Sequence, residues 1–278
     1  MKTPRARARG STQARPARVP ALRDLETGPE LLAALRLALG DPSEHVVARA
    51  AQLAGERELA ELEDDLVAAF ERLMRDPLER DRGCGGKSAV VEALVRTCSD
   101  RTATYLEAVA HVQPEPVFGG LVDTAAALRG AAAMGLVRSA HPRAYEILAG
   151  LLADPEVQAR IGAAEAAAHG APHVVSPLLR LRALARDPEP RVLGACFTAL
   201  LEVDGERALE FVARFLDAPS DEVQEAAALA VGESRLDAAL PLLCAWRERA
   251  PFRAADRVAF LALARLRSEG AVEQRGDG

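Results

Sequence analysis

The sequence predicts an all-α fold, an α-α superhelix (solenoid) of about seven helical hairpins. Three observations carry that expectation. The stretch from Arg160 to Leu184 falls on itself twice when slid forward by 31 positions. Ile161 lands on Val192 and Val223, Ala164 on Ala195 and Ala226, and Ala168 on Ala199 and Ala230. Within each unit these apolar residues stand at helical spacing, on one face of a first helix. The composition agrees: 49% of residues are apolar but only 4% aromatic, and strand-type runs are absent. One hairpin cannot bury its apolar face alone, whereas stacked neighbours bury it jointly.

Residues 1–20 contain Lys2, Arg5, Arg7, Arg9, Arg15 and Arg18 and no acid, and are expected to form a disordered basic tail. Against a whole-chain net charge of −6, that leaves −12 on the remainder. So acidic a body argues against a nucleic-acid groove, and any such contact is expected through the tail. Residues 21–273 form the predicted solenoid, and 274–278 are expected to fray. Pro29 to Leu39 reads as an unpaired capping helix. One apolar anchor places each unit: 46, 86, 128, 161, 192, 223 and 255. The steps are 40, 42, 33, 31, 31 and 32. Second helices carry larger side chains, and the register stacks Leu184, Phe215 and Trp246 in one buried column.

An apolar anchor, an Ala pair, another Ala and then Gly, introduced by Asp-Pro, resembles HEAT repeats of the short kind named after phycobilisome (bilin) lyases. Asp154-Pro155, Asp187-Pro188 and the unit at Val223, Ala226, Ala227, Ala230 and Gly232 carry the match, which covers about 41–265. The resemblance implies a protein-interaction scaffold without catalytic activity. Its alternative is a bilin-lyase-like enzyme subunit or an accessory chaperone for a modified protein.

Turn-to-anchor distances single out two loops. The distance is 5 for Asp41–Val46, Asp187–Val192, Ala218–Val223 and Ala250–Ala255, and 7 for Asp154–Ile161. It is 10 for Asp76–Gly86 and 13 for Glu115–Leu128. Insertions in repeat proteins gather on one face, often the binding one. Residues 78–87 and 112–123 are therefore expected to meet on one edge and form the most ligand-like concavity. The partner-binding candidates are Arg82, Lys87, His111, Gln113, Glu115, Phe118 and Asp123. Pro114 and Pro116 stiffen the second loop.

Other motifs exclude more than they assign. Gly86-Lys87-Ser88 lacks the glycine that a phosphate loop needs five residues before its second one, since Asp81 stands there. His169 and His173 are separated by Gly170 and Pro172 and cannot share a helix face for zinc. No metal and no cofactor are expected. Cys84, Cys98, Cys196 and Cys244 show no CxxC pairing, which fits a reducing cytoplasmic compartment. Cys196 and Cys244 are expected to be buried in helices, while Cys84, near Arg82 and Lys87, is expected in a plain flexible loop, with a lowered thiol pKa as the alternative reading. No stretch has signal-peptide or transmembrane length.

Overall fold

The structure is a computed structural model that describes residues 22–249 together with 258, 261, 262 and 264. The basic tail, the frayed end and nearly all of the last unit lie outside the described residues. Helix α1 (Pro29–Leu39) caps the stack and buries Leu31, Leu35, Ala38 and Leu39. Six hairpins follow. Their first helices are α2 (Glu44–Glu56), α5 (Gly85–Arg96), α7 (Ala126–Arg138), α9 (Val157–Ala167), α11 (Pro190–Asp204) and α13 (Asp221–Glu233). Their second helices are α3 (Glu63–Arg75), α6 (Thr102–Ala110), α8 (Ala144–Leu151), α10 (Pro172–Leu184), α12 (Glu206–Ala213) and α14 (Ala239–Arg249). A one-turn helix, α4 (Pro77–Arg80), sits in the first long loop. Each first helix packs on the first helix of the next unit.

The buried columns run the length of this stack. Ala50, Val90, Ala132, Ala163, Cys196 and Ala227 form one, all fully buried. Ala54, Leu94, Leu136, Ala167, Leu200 and Val231 form another. Both columns step by 40, 42, 31, 33 and 31, which corrects the third and fourth expected steps. The anchor of the fourth hairpin is Ala159, fully buried, and not Ile161, which is only half-buried. The cause is the turn. Asp154 Oδ1 accepts from Glu156 N–H at 2.8 Å and so starts α9 at Val157, as Asp187 does from Glu189 N–H at 2.9 Å before α11.

The same two-residue offset moves the second helix. Leu184, expected in the core, is 55% exposed, and Leu181 on the same helix is 66% exposed. Val175, Leu179 and Ala183 are buried in their place, matching Ala208, Val212 and Leu216 one unit on. Phe215 is half-buried and meets Phe197 and Phe211 at centroid distances of 4.6 and 5.5 Å. Trp246 is buried, as expected, and its Nε1 donates to Gln224 Oε1 at 3.2 Å.

Small residues let the first helices approach. A Cβ on Gly130 would stand 2.8 Å from Gly162 Cα, and one on Gly162 would stand 2.6 Å from Gly130 Cα. Replacing a helical glycine by alanine gains about 0.5–1 kcal/mol of backbone entropy. Forcing two backbones apart costs about 1–3 kcal/mol, so the clash wins. Gly162→Ala is expected to lower the unfolding midpoint in denaturant. Gly150→Ala, which meets nothing within 4 Å, is expected to raise it or leave it unchanged.

Candidate interaction edge

The two long loops meet. After α4, residues Arg82–Cys84 form a tight turn with Gly83 at φ 77° and Cys84 at φ 59°. The second loop is a β-hairpin, β1 (Pro114–Val117) paired antiparallel with β2 (Gly120–Asp123). These two short strands stand in a fold that is otherwise helical among the described residues. Glu115 Oε1 joins the loops. It accepts from Gly83 N–H at 2.6 Å, Gln113 Nε2 at 2.7 Å and Thr124 Oγ1 at 2.8 Å. Gln113 Nε2 also donates to Asp81 O at 2.9 Å. His111 Nε2 lies 3.0 Å from Gln113 Oε1, an acceptor, so that ring nitrogen carries the proton.

Beneath the hairpin lies a row of buried ions. Asp81 accepts from the N–H groups of Gly86 and Lys87 at 2.8 Å each, and Lys87 Nζ lies 3.1 Å from Asp81 Oδ2. Both side chains are fully buried, so the Lys87 ammonium is already engaged and is not offered to a phosphate. Arg129, the equivalent of Lys87 one unit on, grips Asp123 Oδ2 at 2.6 Å, both oxygens of Asp154 at 3.0 and 3.1 Å, and His111 O at 3.1 Å. Arg160 repeats the fork on Asp187 at 2.8 and 3.0 Å. Arg129 and Arg160 thus each clamp the turn carboxylate of the following unit.

Burial alone would raise the carboxyl of Asp123. The N–H groups of Gln113 and Ala125 and the Arg129 guanidinium outweigh it and hold the pKa below the usual range. Burial likewise opposes ionisation of Glu115, and hydrogen bonds from Gln113, Gly83 and Thr124 prevail, again lowering its pKa. Cys84 goes the other way. Burial pushes its thiol up to about 12, and the nearby Lys87 does not offset that. The cations beside Cys84 therefore do not lower its thiol pKa. Cys196 is buried as expected, but Cys244 is exposed.

The seven expected contact residues thus divide. Lys87, Gln113 and Glu115 are buried and build the junction together with Asp81, and Asp123 is tied to Arg129. Lys87, Gln113 and Glu115 are corrected from contact residues to supporting ones. Arg82 and Phe118 face solvent, and His111 is half-buried. Phe118, at the hairpin tip, is 109% exposed, and Val117, Leu121 and Val122 are exposed beside it. These three escaped the sequence reading. Their signal was a pair of short apolar runs, Val117-Phe118 and Leu121-Val122, separated by Gly119-Gly120, which is a hairpin turn signal.

Buried and part-buried hydrogen bonds join the two loops where a concavity was expected. A groove of about 1030 Å³ lies further along, lined by Leu184, Leu193, Phe215, Val223 and Leu229. No cluster of described His, Cys, Asp and Glu residues has the arrangement of a metal site, and no described helix is long and apolar enough to cross a membrane.

With this geometry in place, known proteins can be compared. The family model described as HEAT repeats matches residues 177–264. That part of the chain is similar to HEAT repeats. The complex of CpcE and CpcF of phycocyanin lyase from Nostoc sp. PCC7120 is similar in fold, with a TM-score of 0.51 at 19% identity over 89% of this chain and 94% of that one. Human deoxyhypusine hydroxylase in complex with glycerol matches at a TM-score of 0.38 and 18% identity, over 90% of this chain and 89% of that one. No curated protein sequence matches the chain. The HEAT match begins within α10, and the two long loops lie in units it does not reach.

Proposed function

We propose that this HEAT-like solenoid is a protein-interaction scaffold with no chemical step of its own, and that it holds a protein partner on the hairpin edge. The observation that carries this is Phe118, fully exposed on a hairpin whose base is fixed by buried hydrogen bonds. A large apolar side chain held rigidly in solvent suits a contact better than a solvated loop does. Arg82 adds an exposed cation on the adjoining loop. Four free thiols suit a reducing compartment. Glu115 is unsuitable for a charge-reversal test, since it anchors the junction. Arg82→Glu combined with Phe118→Asp is expected to remove the partners that the parent chain captures while the melting temperature stays within about 2 °C, because both sites are on the surface. Unchanged capture would defeat the assignment.

The likeness to the CpcE and CpcF complex supports a second reading, a subunit of a bilin-lyase-like enzyme. Mixing the chain with a bilin and an acceptor protein separates the two. A covalently coloured acceptor means lyase, and an uncoloured one means scaffold.

A further inference from the structure

The two edges of the hairpin differ. Its register pairs Val117 with Gly120, Pro116 with Leu121, Glu115 with Val122 and Pro114 with Asp123. In an antiparallel ladder, hydrogen-bonded and non-bonded pairs alternate. Pro114 and Pro116 have no N–H, and Thr124 N–H donates to Gln113 O at 3.0 Å. The bonded pairs are therefore Val117–Gly120, Glu115–Val122 and Gln113–Thr124, and the proline pairs lie between them. Two consequences follow for the outer edges. That of β1 carries prolines, which cannot donate to a further strand. That of β2 presents the N–H and C=O of Leu121, turned away from β1, with no proline in the strand. The segment Pro116–Val122 bears no charge, and Val117, Phe118, Leu121 and Val122 are all exposed.

We infer that β2 is a self-pairing edge, on which a second copy of this chain adds its own β2 antiparallel. The inference rests on reading the hairpin as the interaction edge, and it names the partner. Three features favour a second copy over an unrelated strand. Antiparallel pairing of one edge with itself is two-fold symmetric and needs no second sequence. The uncharged segment lets two acidic chains approach there without like charges opposed. The resulting order β1-β2-β2-β1 ends on proline edges at both sides, so growth stops at the dimer. A register centred on Leu121 places Phe118 of each copy opposite Thr124 at the base of the other hairpin. The contact is small, below the roughly 800 Å² per partner of a standard interface, so the dimer is concentration-dependent.

Sedimentation velocity of the full chain from about 1 to 500 µM tests this, a range that spans weak association. A shift from monomer to dimer is expected. Leu121→Pro removes the outward donor without taking a bond from the hairpin. It is expected to abolish the dimer at unchanged helicity, and Phe118→Asp to raise the dissociation constant about tenfold or more. Should Leu121→Pro disturb the hairpin, Leu121→Cys in a Cys98→Ser, Cys244→Ser background gives a second reading. Mild oxidation is expected to yield a reducible dimer there and none for Leu37→Cys, an exposed site on the capping helix α1. A monomer at every concentration, or a dimer indifferent to both Leu121→Pro and Phe118→Asp, overturns self-pairing. The Arg82→Glu, Phe118→Asp capture experiment then decides separately whether the edge binds another protein.

Discussion

Arg129→Ala is expected to destabilise the solenoid by about 3–5 kcal/mol, the cost of leaving buried charges without their partner. Arg129 is the only cation within hydrogen-bonding distance of both Asp123 and Asp154 among the described residues, and its own side chain is 5% exposed. Removing it strands two carboxylates that are 11% and 12% exposed. Arg129→Lys restores the charge but not the two-pronged grip on Asp154, and only partial recovery is expected. The clamp joins consecutive units, and repeat proteins derive stability from such neighbour interfaces. Denaturant unfolding of the variant is therefore expected to split, with one transition for each side of the broken interface.

Acid extends the same experiment. The folded pKa of Asp123 and that of Glu115 are both depressed. Their contribution is complete above the unfolded values, near 3.9 and 4.3, and is lost as pH falls through the lower folded values. Unfolded chain binds more protons in that window, so stability rises with pH there. In Arg129→Ala the folded pKa of Asp123 moves up towards its unfolded value, and the acid dependence is expected to flatten. A variant with the parent's midpoint and the parent's acid profile would show that the clamp is ornamental.

Trp246→Ala carries the second large effect, also about 3–5 kcal/mol for truncating a buried tryptophan. Trp246 is 1% exposed, on α14 of the last fully described hairpin. The truncation leaves a cavity and takes the indole donor from Gln224 Oε1. Trp246→Phe keeps most of the volume and is expected to recover most of the loss. Chemical denaturation followed by circular dichroism reads both variants. An alanine variant that unfolds with the parent would mean that Trp246 does not anchor α13 and α14.

Most of the repeat was legible because a buried helical face needs apolar residues at fixed spacing, and composition records that directly. Register was less so. Ile161 is the more apolar residue, yet Ala159 takes the anchor position, because the Asp154 turn fixes where α9 begins. In both long loops the same five-residue rule was present unrecognised. Asp81 stands five residues before Gly86, and Asp123 five before Leu128. The Asp-Pro at 76 was the more conspicuous signal but lies outside that turn. Gly86 replaces a larger anchor because a Cβ there would meet Leu73 Cδ1 at 2.9 Å and Asp81 Oδ1 at 3.2 Å.

By itself the sequence determined the helical hairpins, their approximate period, the buried Trp246 and the two units whose loops differ. These follow from local propensity and periodic apolarity, which are properties of neighbouring residues in the chain. Tertiary structure alone decided which polar residues face solvent. Lys87, Gln113 and Glu115 read as a binding surface because isolated polar residues in a loop are ordinarily solvated. Loops 32 positions apart, as Gly83 and Glu115 are, instead satisfy one another's donors and acceptors. That pairing buries the charged residues and leaves the apolar tip at Phe118 in water, the reverse of what composition suggests, because a carboxylate can be buried wherever folded neighbours supply enough N–H groups to hold it.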